Sequence, residues 1–197
     1  MADISSVSLD ARPRRSSAGR VLRFLAHRWP TACGLLVTVF SVLDSPEGHS
    51  QAPVVFLAAL VYLATAVVGR PRVVWILFGA AVAGVVVLKL LDVDLWTALV
   101  ASAVSLVVVA LVSGLPSQPR LAALQIPIML VVGTAVLVAL AASPALGTYL
   151  VGAALIGHAT LDVIVWRADK VVVRSLAEFC FVLDFTLGGA IIVAQLL

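Results

Sequence analysis

The stretch LWTALVASAVSLVVVALV, residues 95–112, contains no charged residue and no glycine or proline. A helix that crosses the hydrocarbon core of a bilayer needs about 20 predominantly apolar residues, with a range of about 17–25. This stretch is long enough and apolar enough to meet that requirement. It predicts a transmembrane α-helix over Leu95–Val112.

Six further runs of the chain have the same apolar character, and the segments between them carry the glycine, proline and charge that are typical of helix ends. The seven runs lie near Trp29–Leu43, Ala52–Val68, Val73–Leu91, Leu95–Val112, Ala122–Ala142, Ala145–Trp166 and Val173–Leu197. The first run is short for a span. Seven transmembrane helices are therefore predicted, with six as the alternative.

The composition of the chain requires lipid as the solvent for most of its surface. Of 197 residues, 62% are hydrophobic and 12% are charged, whereas soluble domains average about 45–50% and about 25%. We predict an all-α, multi-span integral membrane helical bundle over residues 29–197, in contact with a lipid bilayer. Residues 1–28 are predicted to form a disordered basic tail with a short amphipathic helix on the membrane surface.

The distribution of basic residues predicts the orientation, because positive residues in short loops stay in the cytoplasm. With seven spans, one side of the membrane receives the arginines of the tail together with Arg70, Arg72, Arg120, Arg167, Lys170 and Arg174. The other side receives Asp44, Glu47, Asp92 and Asp94. This pattern predicts a cytoplasmic N-terminus and an external C-terminus.

The remaining basic residue is Lys89, which lies inside a span within one turn of its outer end. It is predicted to extend to water, toward Asp92. The net charge of +3 follows from membrane topology, so no nucleic-acid partner is predicted. Arginine outnumbers lysine, and alanine and valine are abundant, which favours a GC-rich bacterial genome and hence a multi-pass protein of a bacterial cytoplasmic membrane.

The last two apolar runs contain ionisable side chains at membrane depth, where an aspartate costs about 2.5–3.5 kcal/mol. They are His158, Asp162, Cys180 and Asp184. The spacing of four places His158 and Asp162 on one helical face, and Cys180 and Asp184 on another. These residues are predicted to form one polar column in the inner half of the membrane.

A hairpin turning at Ala168–Val171 would place His158 level with Cys180 and Phe181. Small residues would let the two helices approach closely, and the expected ones are Ala153, Gly157, Gly188 and Gly189. Glu178 is expected to pair with Arg174 at the cytoplasmic interface, because the two are four residues apart. Tyr62 is expected to make an interhelical contact.

Several functions fit the predicted column. The leading hypothesis is a small membrane protein that binds or moves a small solute or cation, proton-coupled, because chains of Asp and His carry protons through membranes. The outer half offers no continuation of such a path. Structural hydrogen bonding between the two helices is the alternative without a ligand.

Two further alternatives use the same residues, namely a metal site with a structural, transport or catalytic role and a metal-free enzyme. His158, Asp162 and Cys180, with Asp184, offer nitrogen, oxygen and sulfur donors that suit zinc or a similar divalent metal. Without a metal, Cys180 can act as a nucleophile with His158 as its base, at the cytoplasmic interface. A further alternative is a non-catalytic subunit of a membrane complex, or a homo-oligomer. No residue is assigned a catalytic role.

Overall fold

The computed structural model describes residues 28–44 and 47–197. Within these ranges the chain forms seven long helices and no strand, so the predicted all-α membrane bundle is confirmed. The helices are α1 (Trp29–Asp44), α2 (Ala52–Val68), α3 (Val74–Leu90), α4 (Leu95–Val112), α5 (Gln125–Ala141), α6 (Pro144–Ala168) and α7 (Arg174–Leu196). The predicted tail and its amphipathic helix lie outside the described residues, apart from Arg28.

Six helical segments are long and apolar enough to cross a membrane, and they contain α2 to α7. Helix α1 has 16 residues and is about 24 Å long at about 1.5 Å per residue. The hydrocarbon core of a bilayer is about 30 Å thick. The bundle therefore has six helices of spanning length and a shorter seventh.

Helix α2 lies at the centre of the bundle, where it contacts α3, α4, α5 and α6. Helix α7 packs between α1 and α6, and α5 packs on the other side of α6. Helix α3 is the most exposed of the spanning helices. Because lipid is as apolar as these side chains, the helices are held by close packing and interhelical hydrogen bonds.

Helices α1 and α7 run parallel to each other, beginning at the same end of the bundle. The Thr31 hydroxyl donates a hydrogen bond of 2.5 Å to the Glu178 carboxylate, and the hydroxyls of Thr38 and Thr186 lie 2.8 Å apart. Later residues of α1 thus meet later residues of α7.

The two ends of the bundle carry opposite charge. The connections α2–α3, α4–α5 and α6–α7 meet around a cavity of about 380 Å³, at the end where α1 also begins. We call this the basic end, and its charged residues include Arg28, Arg70, Arg72, Arg120, Arg167, Lys170 and Arg174. The opposite, acidic end carries Asp44, Glu47, Asp92 and Asp94.

Two charged residues near the acidic end have ordinary structural roles. Asp94 begins α4 by accepting a hydrogen bond of 2.7 Å from the backbone N–H of Thr97, and hydrogen bonding by Thr97 holds the pKa of the Asp94 carboxyl below its ordinary value. Lys89 is exposed in the last turn of α3. It forms no ion pair with Asp92 or any other described residue, and its extension to water stays a prediction.

Candidate functional site

Four polar side chains meet in the interior, between α2, α6 and α7. The Nδ1 atom of His158 lies 2.8 Å from Oδ2 of Asp184 and 3.6 Å from Oδ2 of Asp162. The Tyr62 hydroxyl donates a hydrogen bond to Oδ1 of Asp162. All four side chains are buried. We call His158, Asp162, Asp184 and Tyr62 the buried cluster.

Two glycines bring α6 close enough to α7 for the cluster to form. A Cβ atom on Gly152 would lie 2.6 Å from Cγ1 of Ile192, and a Cβ atom on Gly188 would lie 3.0 Å from the carbonyl oxygen of Gly152. The prediction was right for Gly188 and wrong for Gly157 and Gly189, where a Cβ atom would have nothing within 4 Å.

The register of the α6–α7 hairpin is close to the expected one, since Gly188 approaches the backbone of Gly152. His158 was expected level with Cys180 and Phe181, but its side chain bonds to Asp184, which is one helical turn further along α7 than Cys180. The two side chains meet because each leans toward the N-terminus of its own helix, and the two helices run in opposite directions.

Three atoms of the buried cluster have no hydrogen-bond partner among the described residues. They are Nε2 of His158, Oδ2 of Asp162 and Oδ1 of Asp184. An unpartnered polar atom in an apolar interior costs about 1–3 kcal/mol, and more when the group is charged. The cluster therefore offers unused hydrogen-bonding and coordinating capacity to a proton, an ion or a ligand.

The fourth predicted member of the polar column lies outside this cluster of donor atoms. Potential metal-ligand atoms of His158, Asp162 and Asp184 all lie within 4.8 Å of one another, and Cys180 does not belong to that group. Cys180 is buried. In the described part of the chain, no hydrogen bond joins its thiol to His158. The structure thus brings together nitrogen and oxygen donors without the sulfur.

The expected pair of Glu178 and Arg174 is wrong, because each residue has another partner. Glu178 accepts a hydrogen bond of 3.2 Å from Arg28 and the bond from Thr31 on α1. Arg174 lies 3.3 Å from Asp169, and its guanidinium carbon lies 5.7 Å from the centre of the Trp166 ring. The partners of Glu178 come from α1 and from the residue that precedes it, which the spacing within α7 alone does not reveal.

Three cavities each have one cluster residue in their lining. A cavity of about 240 Å³ at the basic end is lined by Asp162, Arg28 and Glu178 among others. A second of about 450 Å³, between α5 and α6, is lined by His158. A third of about 430 Å³, between α1, α2, α3 and α7, is lined by Asp184. The cluster thus stands where three separate cavities approach one another.

Tyr62 belongs to the site, although the sequence indicated only an interhelical contact. That contact is confirmed by its bond to Asp162, and its ring centre lies 5.0 Å from that of His158. A buried tyrosine hydroxyl generally finds a hydrogen-bond partner. In the sequence, the indication of this role is a single tyrosine in the middle of an otherwise apolar run.

Comparison of the chain with protein-family models, with curated proteins and with solved structures finds no match.

Proposed function

We propose that this membrane protein binds and moves a proton or another small cation through the buried cluster. The observation that carries the proposal is the meeting of His158, Asp162 and Asp184, three fully buried ionisable side chains that each keep one unpartnered polar atom. Ionisable residues inside a membrane are rare, and they mark ion pathways and proton relays.

The charge of the cluster supports the binding of a cation. If both carboxylates are ionised and the His158 ring is protonated, one negative charge stays uncompensated. An unpaired buried ion carries a penalty of several kcal/mol. A further proton or a cation removes that penalty, and the Oδ2 atom of Asp162 and the Oδ1 atom of Asp184 are the free positions that can hold it.

The cavity at the basic end supplies an entry route in this proposal. It has Asp162 in its lining, together with Arg28, Arg167 and Glu178 from the surface of that end. We place the basic end in the cytoplasm of a bacterial-type cell, because basic loops stay on that side. The N-terminus is then inside, the C-terminus outside, and the cluster in the cytoplasmic half of the membrane.

Proton movement in liposomes tests the proposal. The purified chain is reconstituted around a pH-sensitive dye, and a potassium gradient with valinomycin drives proton uptake. We expect Asp162→Asn and Asp184→Asn to slow uptake by about tenfold or more, equivalent to about 1.4 kcal/mol or more in barrier height. Asp92→Asn, an exposed acid at the acidic end, serves as the control and keeps the wild-type rate. Equal rates in all four proteins would refute proton movement through the cluster.

A divalent metal is the second candidate ligand, and the clustering of donor atoms within 4.8 Å favours it. One imidazole nitrogen and two carboxylate oxygens suit zinc or manganese. The test is the metal content of protein purified in mild detergent and incubated with each metal, beside His158→Ala and Asp184→Asn. Stoichiometric metal that disappears in both variants supports this candidate, and wild-type protein that retains none after incubation contradicts it.

A further inference from the structure

The cavity that Asp184 lines differs in chemistry from the other two. It lies between α1, α2, α3 and α7, and its volume is about 430 Å³, within the range of about 300–1,000 Å³ that is usual for small-molecule sites. Its lining contains four aromatic side chains, Trp29, Trp75, Phe78 and Phe179. The cavity between α5 and α6 has no aromatic ring other than that of His158 in its lining.

The four aromatic rings form one continuous group. The centre of the Trp75 ring lies 5.0 Å from that of Trp29 and 5.7 Å from that of Phe78. The Phe179 ring lies 5.9 Å from Trp75 and 5.5 Å from Phe78. The Trp75 indole N–H donates to the Ser175 hydroxyl at 3.0 Å, which holds this ring in place.

Asp184 adds a single acidic group to this apolar, aromatic lining. Its Oδ2 atom is bonded to His158, whereas its Oδ1 atom has no hydrogen-bond partner in the described part of the chain. The side chain is fully buried. A carboxylate residue in the lining of a cavity walled by aromatic rings is the arrangement that attracts a hydrophobic group bearing a positive charge.

Other ligand classes use this lining less well. A lipid chain would fill the apolar space and leave the Oδ1 atom of Asp184 unpartnered, at the cost of its lost hydration. A hydrated inorganic cation would bring water against a wall that offers few polar groups. A lipophilic organic cation matches both the Asp184 carboxylate and the apolar lining. Its charge is attracted by the carboxylate and the aromatic rings, and its apolar groups fill the cavity.

We propose that the cavity between α1, α2, α3 and α7 binds a lipophilic organic cation, an arylammonium or phosphonium compound, with Asp184 as its counter-charge. The inference rests on the proposed function, because Asp184 belongs to the cluster through which cations move. It deepens that function by naming the class of substrate.

Binding of tetraphenylphosphonium to the full chain in detergent tests the inference. Isothermal titration calorimetry measures the affinity, and quenching of tryptophan fluorescence reports on Trp29 and Trp75. We expect Asp184→Asn to weaken binding by about tenfold or more, because the counter-charge is lost. Asp92→Asn is the matched control and keeps the wild-type affinity. The neutral compound triphenylphosphine oxide should bind at least about tenfold more weakly than the cation.

A second variant keeps the test valid if Asp184→Asn fails to fold. Val82 lines the cavity from α3, so Val82→Trp fills space in it without altering the buried cluster. We expect this variant to lose tetraphenylphosphonium binding and to keep voltage-driven proton uptake in liposomes. Equal binding of the cation to wild type and Val82→Trp, or equal binding of the cation and the neutral compound, would overturn the inference.

The two proposals fail in distinguishable ways. If no tetraphenylphosphonium binds while Asp162→Asn still slows proton uptake, the organic-cation site is wrong and the cluster keeps its proposed function. If tetraphenylphosphonium does not bind and all variants take up protons at the wild-type rate, both proposals are wrong.

Discussion

His158 on α6 and Asp184 on α7 share a hydrogen bond of 2.8 Å between Nδ1 and Oδ2, with both side chains withdrawn from solvent. The bond joins the two helices near the middle of their contact. It also orients the ring, because a hydrogen bond at one nitrogen decides what the other can do. The Nε2 atom has no hydrogen-bond partner within the described ranges of the chain.

Replacing only one of the two residues of this pair should destabilise the protein strongly. We expect Asp184→Ala to lower the free energy of unfolding by about 3–5 kcal/mol, because a buried partner is left alone. The double variant His158→Leu, Asp184→Leu should be much less destabilised, since both polar groups are removed together. Unfolding in mixed micelles measures both. Strict additivity of the single changes, His158→Leu and Asp184→Leu, would show that the two residues do not interact.

Removing the Tyr62 hydroxyl should affect Asp162 directly. Tyr62→Phe leaves Oδ1 of Asp162 without its donor, and we expect a loss of about 1–3 kcal/mol in stability. Tyr149→Phe is the matched control, because Tyr149 is exposed on α6 and should tolerate the change. The measurement is thermal unfolding in detergent. Equal effects of the two substitutions would exclude a particular role for the Tyr62 hydroxyl.

The close approach of α6 and α7 can be tested at two adjacent glycines. A Cβ atom on Gly188 would meet the backbone of Gly152 and the Cβ of Leu155, whereas one on Gly189 would meet nothing within 4 Å. We expect Gly188→Ala to destabilise the protein by about 1–3 kcal/mol through overpacking, and Gly189→Ala to leave its stability unchanged. A larger effect at Gly189, measured by unfolding in mixed micelles, would contradict the described packing.

The Arg28–Glu178 pair is expected to control access more than stability. Arg28 is 59% exposed, and exposed ion pairs contribute only about 0–1 kcal/mol. Both residues line the cavity that Asp162 also lines. We expect Glu178→Gln to speed proton uptake in liposomes with little change in melting temperature. Arg174→Gln is the control, because it removes a comparable exposed ion pair outside the cavity, and it should leave proton uptake unchanged. An equal effect of the two variants would show that the Arg28–Glu178 pair does not control access to the cavity.

The orientation of the bundle can be measured with single cysteines. In a background of Cys33→Ala and Cys180→Ala, we expect Asp92→Cys to react with a membrane-impermeant maleimide in intact cells. Gln118→Cys, at the basic end, should react only after the cells are permeabilised. The opposite pattern would place the basic end outside, against the rule that basic loops stay in the cytoplasm.

The positions of the helices followed from the sequence because each apolar run is bounded by glycine, proline or charge. Helices α2 and α4 begin and end where the runs predicted, and the others differ by only a few residues. Basic residues lie at one end of the bundle and acidic residues at the other, as the charges of the loops predicted. Local composition was sufficient for these features, because the bilayer requires every span to be both long and apolar.

The partners across the bundle did not follow from the sequence in the same way. The bonds of Glu178 to Arg28 and of Asp162 to Tyr62 join residues far apart in the chain. Such contacts depend on which helices become neighbours, and spacing within one helix carries no information about that. The sequence placed His158 and Asp184 in one polar column, but it did not show which member of that column His158 bonds to.

The current produced by a pH step tests the central claim most directly. Proteoliposomes are adsorbed on a solid-supported membrane, and the external pH is changed rapidly with metals removed by a chelator. If the buried cluster carries protons, wild-type protein and Asp92→Asn should give a transient current, and Asp184→Asn should give about one tenth of it or less. An equal current in Asp184→Asn, or no current in the folded wild-type protein, would contradict the claim.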